Sequence, residues 1–220
     1  MSRYMIKFSK AGYIKYTSHL DMVRLFVRLF NRANIYLEYS QGFNPHPKMS
    51  FGQPLSLGYS SCEELLEVET RADFEPEEIR ETLSKLVPEG MAITCVERAE
   101  PSKRTIAAMT TAAVYEVEFP LKPDDERDYP DLAERFMSRE EIVAEKLQRK
   151  SGKVTRQNIR PMIRELSVQS VDDKMIMTTT VDQGSASNLS PELVISAFID
   201  FTGADFKRTD IEVTRKKIIY

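Results

Sequence analysis

Two histidines are the side chains of this sequence best suited to proton transfer near neutral pH. His19 lies in the run of residues 16–21, at the predicted start of a helix, and His46 lies between two prolines. The positive end of the helix dipole favours a neutral imidazole at position 19, and the fixed φ angles of the prolines present the second imidazole at low entropic cost. His19, His46 and the phenol of Tyr16 are therefore candidate acids or bases.

Both histidines also have a structural interpretation. His19 falls toward the apolar side of its predicted helix, which indicates with equal weight a buried, hydrogen-bonded ring that braces the helix cap or the nearby loop. The loop around His46 can pack as a rigid plug with Phe43 buried, but its density of planar and reactive groups favours display to a ligand.

Three arginines recur every four residues along one face of the same predicted helix, at Arg24, Arg28 and Arg32. A solvated face explains this arginine stripe, and so does a phosphate-binding surface. Residues 1–60 carry eight Lys or Arg and two Asp or Glu, a local charge of +6 within a chain of net charge −3, which favours an anion site. The loop adds a lysine for phosphate and planar rings for stacking. The predicted binding residues are Arg24, Arg28, Arg32, Gly42, Phe43, Asn44, His46 and Lys48.

The periodicity of the first hundred residues predicts the elements that position these side chains. Apolar residues over 20–33 follow Ser18, which has Asp21 three positions later, so a capped helix is expected there. A second helix begins at Pro76. A short extended piece is expected at residues 36–39. Strands are expected at residues 4–8, 49–57, 64–69 and 91–97, which together with the helices gives the order β-α-β-β-α-β.

The same order recurs in the second half. Helices are expected at residues 129–137 and 190–201, and strands at 113–119, 142–148, 175–181 and 211–219. The sequence therefore predicts an α+β protein of two tandem ferredoxin-like halves, residues 1–99 and 109–220, the second with an insertion near residues 151–171. A basic stretch over residues 146–164 is interpreted as a solvated hairpin.

Membrane insertion is not expected, because no apolar run approaches the roughly 20 residues that span a bilayer. The first residues lack the apolar segment of a signal peptide, so a cytoplasmic protein is predicted. Cys62 and Cys95 are too few for a disulfide framework, and their places in predicted strands indicate buried small residues. His19, His46, Asp21 and Cys62 lack a recognised ligand spacing, so no metal is predicted.

One known family shares the most distinctive residues of the chain. The chain resembles the radical-SAM-associated domains of unknown function at the following positions: Phe8-Ser9-Lys10, Gly12, Tyr16, residues 18–21, Arg24, Arg28, residues 39–48 and Ser50-Phe51. The resemblance is specific over residues 8–58 and more diffuse toward the carboxyl end. It implies a partner radical SAM enzyme encoded nearby or fused to the domain, and work on or around RNA or a ribosomal component.

The chain is not itself a radical SAM enzyme, because such an enzyme needs three closely spaced cysteines and this chain has two, 33 positions apart. It also lacks a glycine-rich phosphate loop, so no cofactor is expected. The leading hypothesis is a noncatalytic accessory protein that binds RNA or a ribonucleoprotein. The alternative is a metal-independent endoribonuclease, since tandem ferredoxin-like halves also resemble, at fold level, the enzymes that process CRISPR repeats. A scaffold that docks small-molecule chemistry is a third class.

Overall fold

A computed structural model of the chain describes residues 2–99, 106–147, 152 and 154–220. The chain divides into two units. Unit 1 is Met1–Thr110 together with Tyr220, and unit 2 is Thr111–Ile219. Helices and antiparallel strands occur in both units, so the predicted α+β class is confirmed.

Unit 1 carries its strands in one antiparallel sheet of order β4-β1-β3-β2. Its elements are β1 (Ser2–Lys10), α1 (His19–Arg32), β2 (Met49–Phe51), β3 (Ser60–Thr70), α2 (Pro76–Ser84), β4 (Met91–Arg98) and α3 (Ile106–Met109).

Two extended segments predicted in unit 1 form less strand than expected. Residues 36–39 make only isolated bridges, one between Leu37 and Thr70 and one between Tyr39 and Pro47. The strand expected at residues 49–57 ends at Phe51. Pro54 follows soon after and has no N–H to donate to a neighbouring strand, which is consistent with the early end.

Helix α1 packs its apolar side onto the core of unit 1. Met22, Phe26, Leu29 and Phe30 are buried, as their spacing of three and four residues requires. Leu20, expected on the apolar side, is 66% exposed. Its position explains the difference, because a residue four places before Arg24 shares the helix face of the arginines and not that of Phe26.

A 3-10 turn over Gly12–Tyr16, here called the tyrosine turn, joins β1 to α1. The Ala11 N–H donates a hydrogen bond to the Gly90 carbonyl at 2.7 Å, just before the turn. Gly90 has a φ of +83°, and a Cβ built on it would lie 2.3 Å from the Ala11 carbonyl oxygen. Only glycine fits this close approach of two backbones.

Gly90→Ala is therefore expected to lower the free energy of unfolding by about 2 kcal/mol or more, because it adds a backbone clash to left-handed strain. Chemical denaturation of the variant measures the loss. Gly12→Ala is the matched control, since Gly12 also has positive φ but no atom lies within 4 Å of a Cβ at that position. An equal loss in the two variants would show that the close approach at Gly90 is unimportant.

The strands of unit 2 pair antiparallel in the order β10-β5-β9-β8, and β6 and β7 form a separate hairpin. Its elements are β5 (Ala112–Pro120), α4 (Tyr129–Met137), β6 (Val143–Leu147), β7 (Val154–Asn158), β8 (Ile163–Val171), β9 (Lys174–Asp182), α5 (Pro191–Thr202) and β10 (Glu212–Ile219).

The insertion predicted near residues 151–171 is placed differently in the structure. Its later part is β8, which pairs with β9 within the main sheet, and the strand expected at 142–148 belongs to the hairpin. Only Ile163 and Val168 of β8 are buried, so this edge strand lacks the alternation that would have revealed it. Residues 148–151 and 153 of the predicted basic stretch lie outside the described residues.

The cysteines differ from the prediction that both are buried. Cys62 is exposed and Cys95 is half-buried. In β3 the side chain of Ser61 points inward, so the next residue along the strand points outward. No helix within the described ranges is long and apolar enough to cross a membrane.

Candidate functional site

The first turn of α1 is organised by Ser18. Its hydroxyl oxygen accepts a hydrogen bond from the Asp21 N–H at 3.2 Å and donates one to the Asp21 carboxylate at 2.7 Å. The cap predicted from the spacing of these two residues is therefore present. The Ser18 hydroxyl, followed by the Arg24 guanidinium, holds the pKa of the Asp21 carboxyl below its ordinary value.

His19 begins the helix and is exposed. Its ring meets the Phe51 ring edge to face, with 5.3 Å between centroids. Among the described residues its ring forms no hydrogen bond, so the expectation of a buried, hydrogen-bonded histidine is wrong. His19 is the first residue of α1, and there the Phe51 ring contacts one side of its imidazole.

His19 also lines a small pocket in unit 1, here called the histidine pocket. Its volume is about 30 Å³. The Lys10 ammonium donates a hydrogen bond to the Thr17 carbonyl at 3.4 Å, within the wall of this pocket. The remaining lining residues are Phe8, Met22, Phe51, Gln53, Pro54, Leu55 and Glu64.

Two charged residues of this pocket are not among the predicted site residues. Lys10 is 4% exposed and Glu64 is 8% exposed. Each continues a row of inward-facing apolar residues, Lys10 after Phe8 in β1 and Glu64 before Leu66 in β3. Charges at core positions of an alternating strand are the signal that would have found them, because such residues are rarely buried without a specific role.

The arginine stripe lies on the solvent side of α1, where the sequence placed it. Arg24 pairs with the Asp21 carboxylate at 2.9 Å. Arg28 and Arg32 are exposed and pair with no carboxylate anywhere in the described part of the chain. Their guanidinium groups therefore remain available to an anion from solution.

The loop that carries His46 spans residues 41–47 before β2 and is here called the projecting loop. The Ser40 N–H donates to the His46 carbonyl at 2.8 Å, and the His46 N–H donates to the Ser40 hydroxyl at 3.0 Å, so the base of the loop is closed. Phe43 is fully exposed, at 113% of its reference surface. Gly42, Asn44 and His46 are exposed as well. The interpretation of this loop as a plug with Phe43 buried is therefore wrong.

Lys48 lies apart from the exposed end of this loop, in a network of charges on the sheet. Its ammonium is 2.7 Å from the Glu69 carboxylate, which also accepts a hydrogen bond from Arg3 at 2.8 Å. Arg3 in turn lies 3.3 Å from Glu67. The Lys48 ammonium and then the Arg3 guanidinium hold the pKa of Glu69 below its ordinary value. Lys48 is therefore already neutralised within the protein.

The predicted site residues thus fall into three groups. His19 belongs to the histidine pocket together with Lys10, Glu64 and Gln53, while Tyr16 lies next to it in the tyrosine turn. The arginine stripe runs along α1 from that end. His46 belongs to the projecting loop and is not part of the pocket lining. In the described ranges no group of three His, Cys, Asp or Glu side chains is placed to hold a metal ion.

The model of a family described as "uncharacterized protein conserved in bacteria" (DUF2344) matches residues 3–191. The chain belongs to this family. The match includes all three groups of site residues, the histidine pocket, the arginine stripe and the projecting loop. No curated protein matches the chain.

Two solved structures align with nearly the whole chain at low sequence identity. One, an unknown protein from Galdieria sulphuraria, has 12% identity, covers 100% of this chain and 99% of its own, and has a TM-score of 0.29. The other, described as a "putative glycine cleavage system transcriptional repressor", has 15% identity, covers 99% and 97%, and has a TM-score of 0.27. Scores this low support no argument about fold or function.

Ser18→Ala is expected to lower the free energy of unfolding by about 1 kcal/mol, because α1 loses its cap. The Ser18 hydroxyl also lowers the pKa of Asp21 in the folded state. A carboxyl of this kind stabilises the fold above its unfolded pKa of about 3.9, and this stability is lost as pH falls through the folded pKa. Because the variant lacks the hydroxyl, it should lose less stability than the native chain as the pH falls below about 4.

Denaturation at a series of pH values measures both effects. Ser190→Ala is the matched control, because Ser190 is the N-cap of α5 and makes no side-chain hydrogen bond there. A change as large in that control would contradict the assignment of the effect to the Ser18 hydroxyl.

Proposed function

We propose that this protein is a noncatalytic accessory protein that binds RNA, alone or in a ribonucleoprotein, for a partner radical SAM enzyme. The observation that carries the RNA part is the arginine stripe. Arg28 and Arg32 are exposed on a capped helix and have no carboxylate partner among the described residues. Guanidinium groups in this state suit phosphate, to which they donate two hydrogen bonds at once.

The spacing of the stripe also supports an extended polyanion as the ligand. Residues four apart on a helix rise by about 6 Å, so the stripe presents a row of positive charge along one side of α1. The chain as a whole has a net charge of −3. A local basic row on an acidic protein favours contact at this face over contact elsewhere.

The radical SAM partner is proposed from the resemblance of the signature residues alone. Retention of that enzyme on the immobilised chain tests the partnership, and failure of the purified proteins to associate counts against it.

We propose also that each unit is ferredoxin-like. The support is the sheet order β4-β1-β3-β2 in unit 1 and the corresponding order β10-β5-β9-β8 in unit 2.

Arg28→Glu should weaken RNA binding about tenfold and lower the slope of log affinity against log salt by about one, because a phosphate contact and its counterion release are lost. Fluorescence anisotropy with a labelled RNA at several salt concentrations measures both quantities. The variant should fold normally, since residue 28 is exposed.

Arg135→Glu is the matched control. Arg135 is an exposed arginine on α4 in unit 2, so it carries the same change of charge outside the stripe. Equal losses in the two variants would indicate nonspecific attraction to net charge. Unchanged binding in Arg28→Glu would remove the proposed RNA-binding face.

A metal-independent endoribonuclease is the second candidate, and the histidine pocket is the observation that favours it. The pocket brings His19 together with the buried Lys10 and Glu64, an imidazole beside an ammonium and a carboxylate. His19 would act as acid or base on the RNA backbone, and Tyr16 lies in the adjoining turn. His46 is not among the residues that line this pocket.

Under this second function, purified protein cleaves RNA in the presence of a chelator. His19→Gln should abolish the cleavage and His46→Gln should leave it, because only the first imidazole lies in the pocket. Gel analysis of a labelled RNA measures the products. RNA binding without cleavage by the native chain would exclude the enzyme and favour the accessory role.

A further inference from the structure

Exposed apolar side chains gather beside the start of α1. Tyr13 is 95% exposed, Tyr16 is 61% exposed and Leu20 is 66% exposed. Leu57 is also exposed and precedes Gly58, where a Cβ would lie 3.5 Å from the Tyr16 ring. Single exposed apolar residues are ordinary on a protein surface, but a group of them marks a contact surface.

The tyrosine turn that carries these rings is fixed on both sides. The Gly58 N–H donates to the Lys15 carbonyl at 2.9 Å, and the Ala11 N–H donates to the Gly90 carbonyl at 2.7 Å. Ile14 packs against the core of unit 1. The rings of Tyr13 and Tyr16 are therefore displayed on an ordered support, so a ligand that stacks on them pays little conformational entropy.

Positive charge lies beside the Tyr16 ring. The Lys15 ammonium is 5.6 Å from the centroid of the Tyr16 ring. Leu20 lies four residues before Arg24, so the face that bears the exposed leucine continues into the arginine stripe. A protein-docking surface has few charges at its centre, whereas surfaces for single-stranded nucleic acid combine aromatic platforms with a basic track.

We infer that the RNA bound by this protein is unpaired, with bases stacked on Tyr13 and Tyr16 and phosphates along the arginine stripe. This inference rests on the proposed RNA-binding function and specifies its ligand. A ring on a protein surface reaches the face of a base only when that base is out of a duplex stack. Paired RNA can offer phosphates to the stripe but no base faces to the turn.

The test compares one labelled RNA of roughly 12 nucleotides, within the usual range for stacking proteins, as a single strand and annealed to its complement. Anisotropy with the full chain should show tighter binding of the single strand. Tyr13→Ala and Tyr16→Ala should each weaken single-strand binding about tenfold and leave duplex binding unchanged. Tyr16→Phe should bind like the native chain, because stacking uses the ring and not the hydroxyl.

Tyr36→Ala is the matched control, since Tyr36 is an exposed tyrosine of unit 1 outside the turn. Circular dichroism confirms that each variant is folded. Equal affinity for the two RNA forms, or alanine variants that bind the single strand like the native chain, would overturn this inference. If Arg28→Glu still weakens RNA binding when this inference fails, the proposed RNA-binding function survives. If the native chain binds neither the single strand nor the duplex, the inference and the proposed function both fail.

Discussion

The packing of three phenylalanines fixes the rotation of α1, and the proposed surface depends on that rotation. Phe8 from β1, Phe26 from α1 and Phe51 from β2 form a closed triangle, with ring centroids 5.0, 6.3 and 5.6 Å apart. Because Phe26 must face this cluster, the residues on the opposite side of the helix face solvent. Phe51 of this cluster also makes the edge-to-face contact with the His19 ring.

Helix α1 thus carries three groups of residues, two on opposite sides of the helix and one in its first turn. Its buried side holds the core, its solvent side holds the arginine stripe, and its first turn holds His19 over a pocket with two buried charges. Asp21 at that end neutralises Arg24 and leaves the later arginines for a ligand. A ligand that follows the stripe toward the amino end of α1 therefore arrives at the tyrosine turn.

Local patterns were enough to predict much of this arrangement. The cap at Ser18, the buried side of α1 and the outward stripe follow from spacing within one helix, so no distant contact was needed to find them. Most strands of both units were found in the same way. The exceptions are β7 and β8, whose mostly polar or exposed residues conceal their places as strands.

Contacts between distant segments explain what the sequence did not reveal. Lys48 was expected to meet phosphate, but its partner Glu69 lies 21 residues away on a neighbouring strand. The exposure of Phe43 depends on how the loop closes at Ser40, and residue type alone does not set that closure. Lys10 and Glu64 share a pocket only because β1 and β3 pair in a register that sets Phe8 opposite Glu64.

The most direct test of the RNA-binding face is ultraviolet crosslinking of a single-stranded RNA to the full chain, followed by mass spectrometry of the crosslinked peptides. The proposed surface predicts crosslinks within residues 13–32, from the tyrosine turn through the arginine stripe. Crosslinks confined to other segments, such as the β6-β7 hairpin of unit 2, with none in residues 13–32, would contradict it.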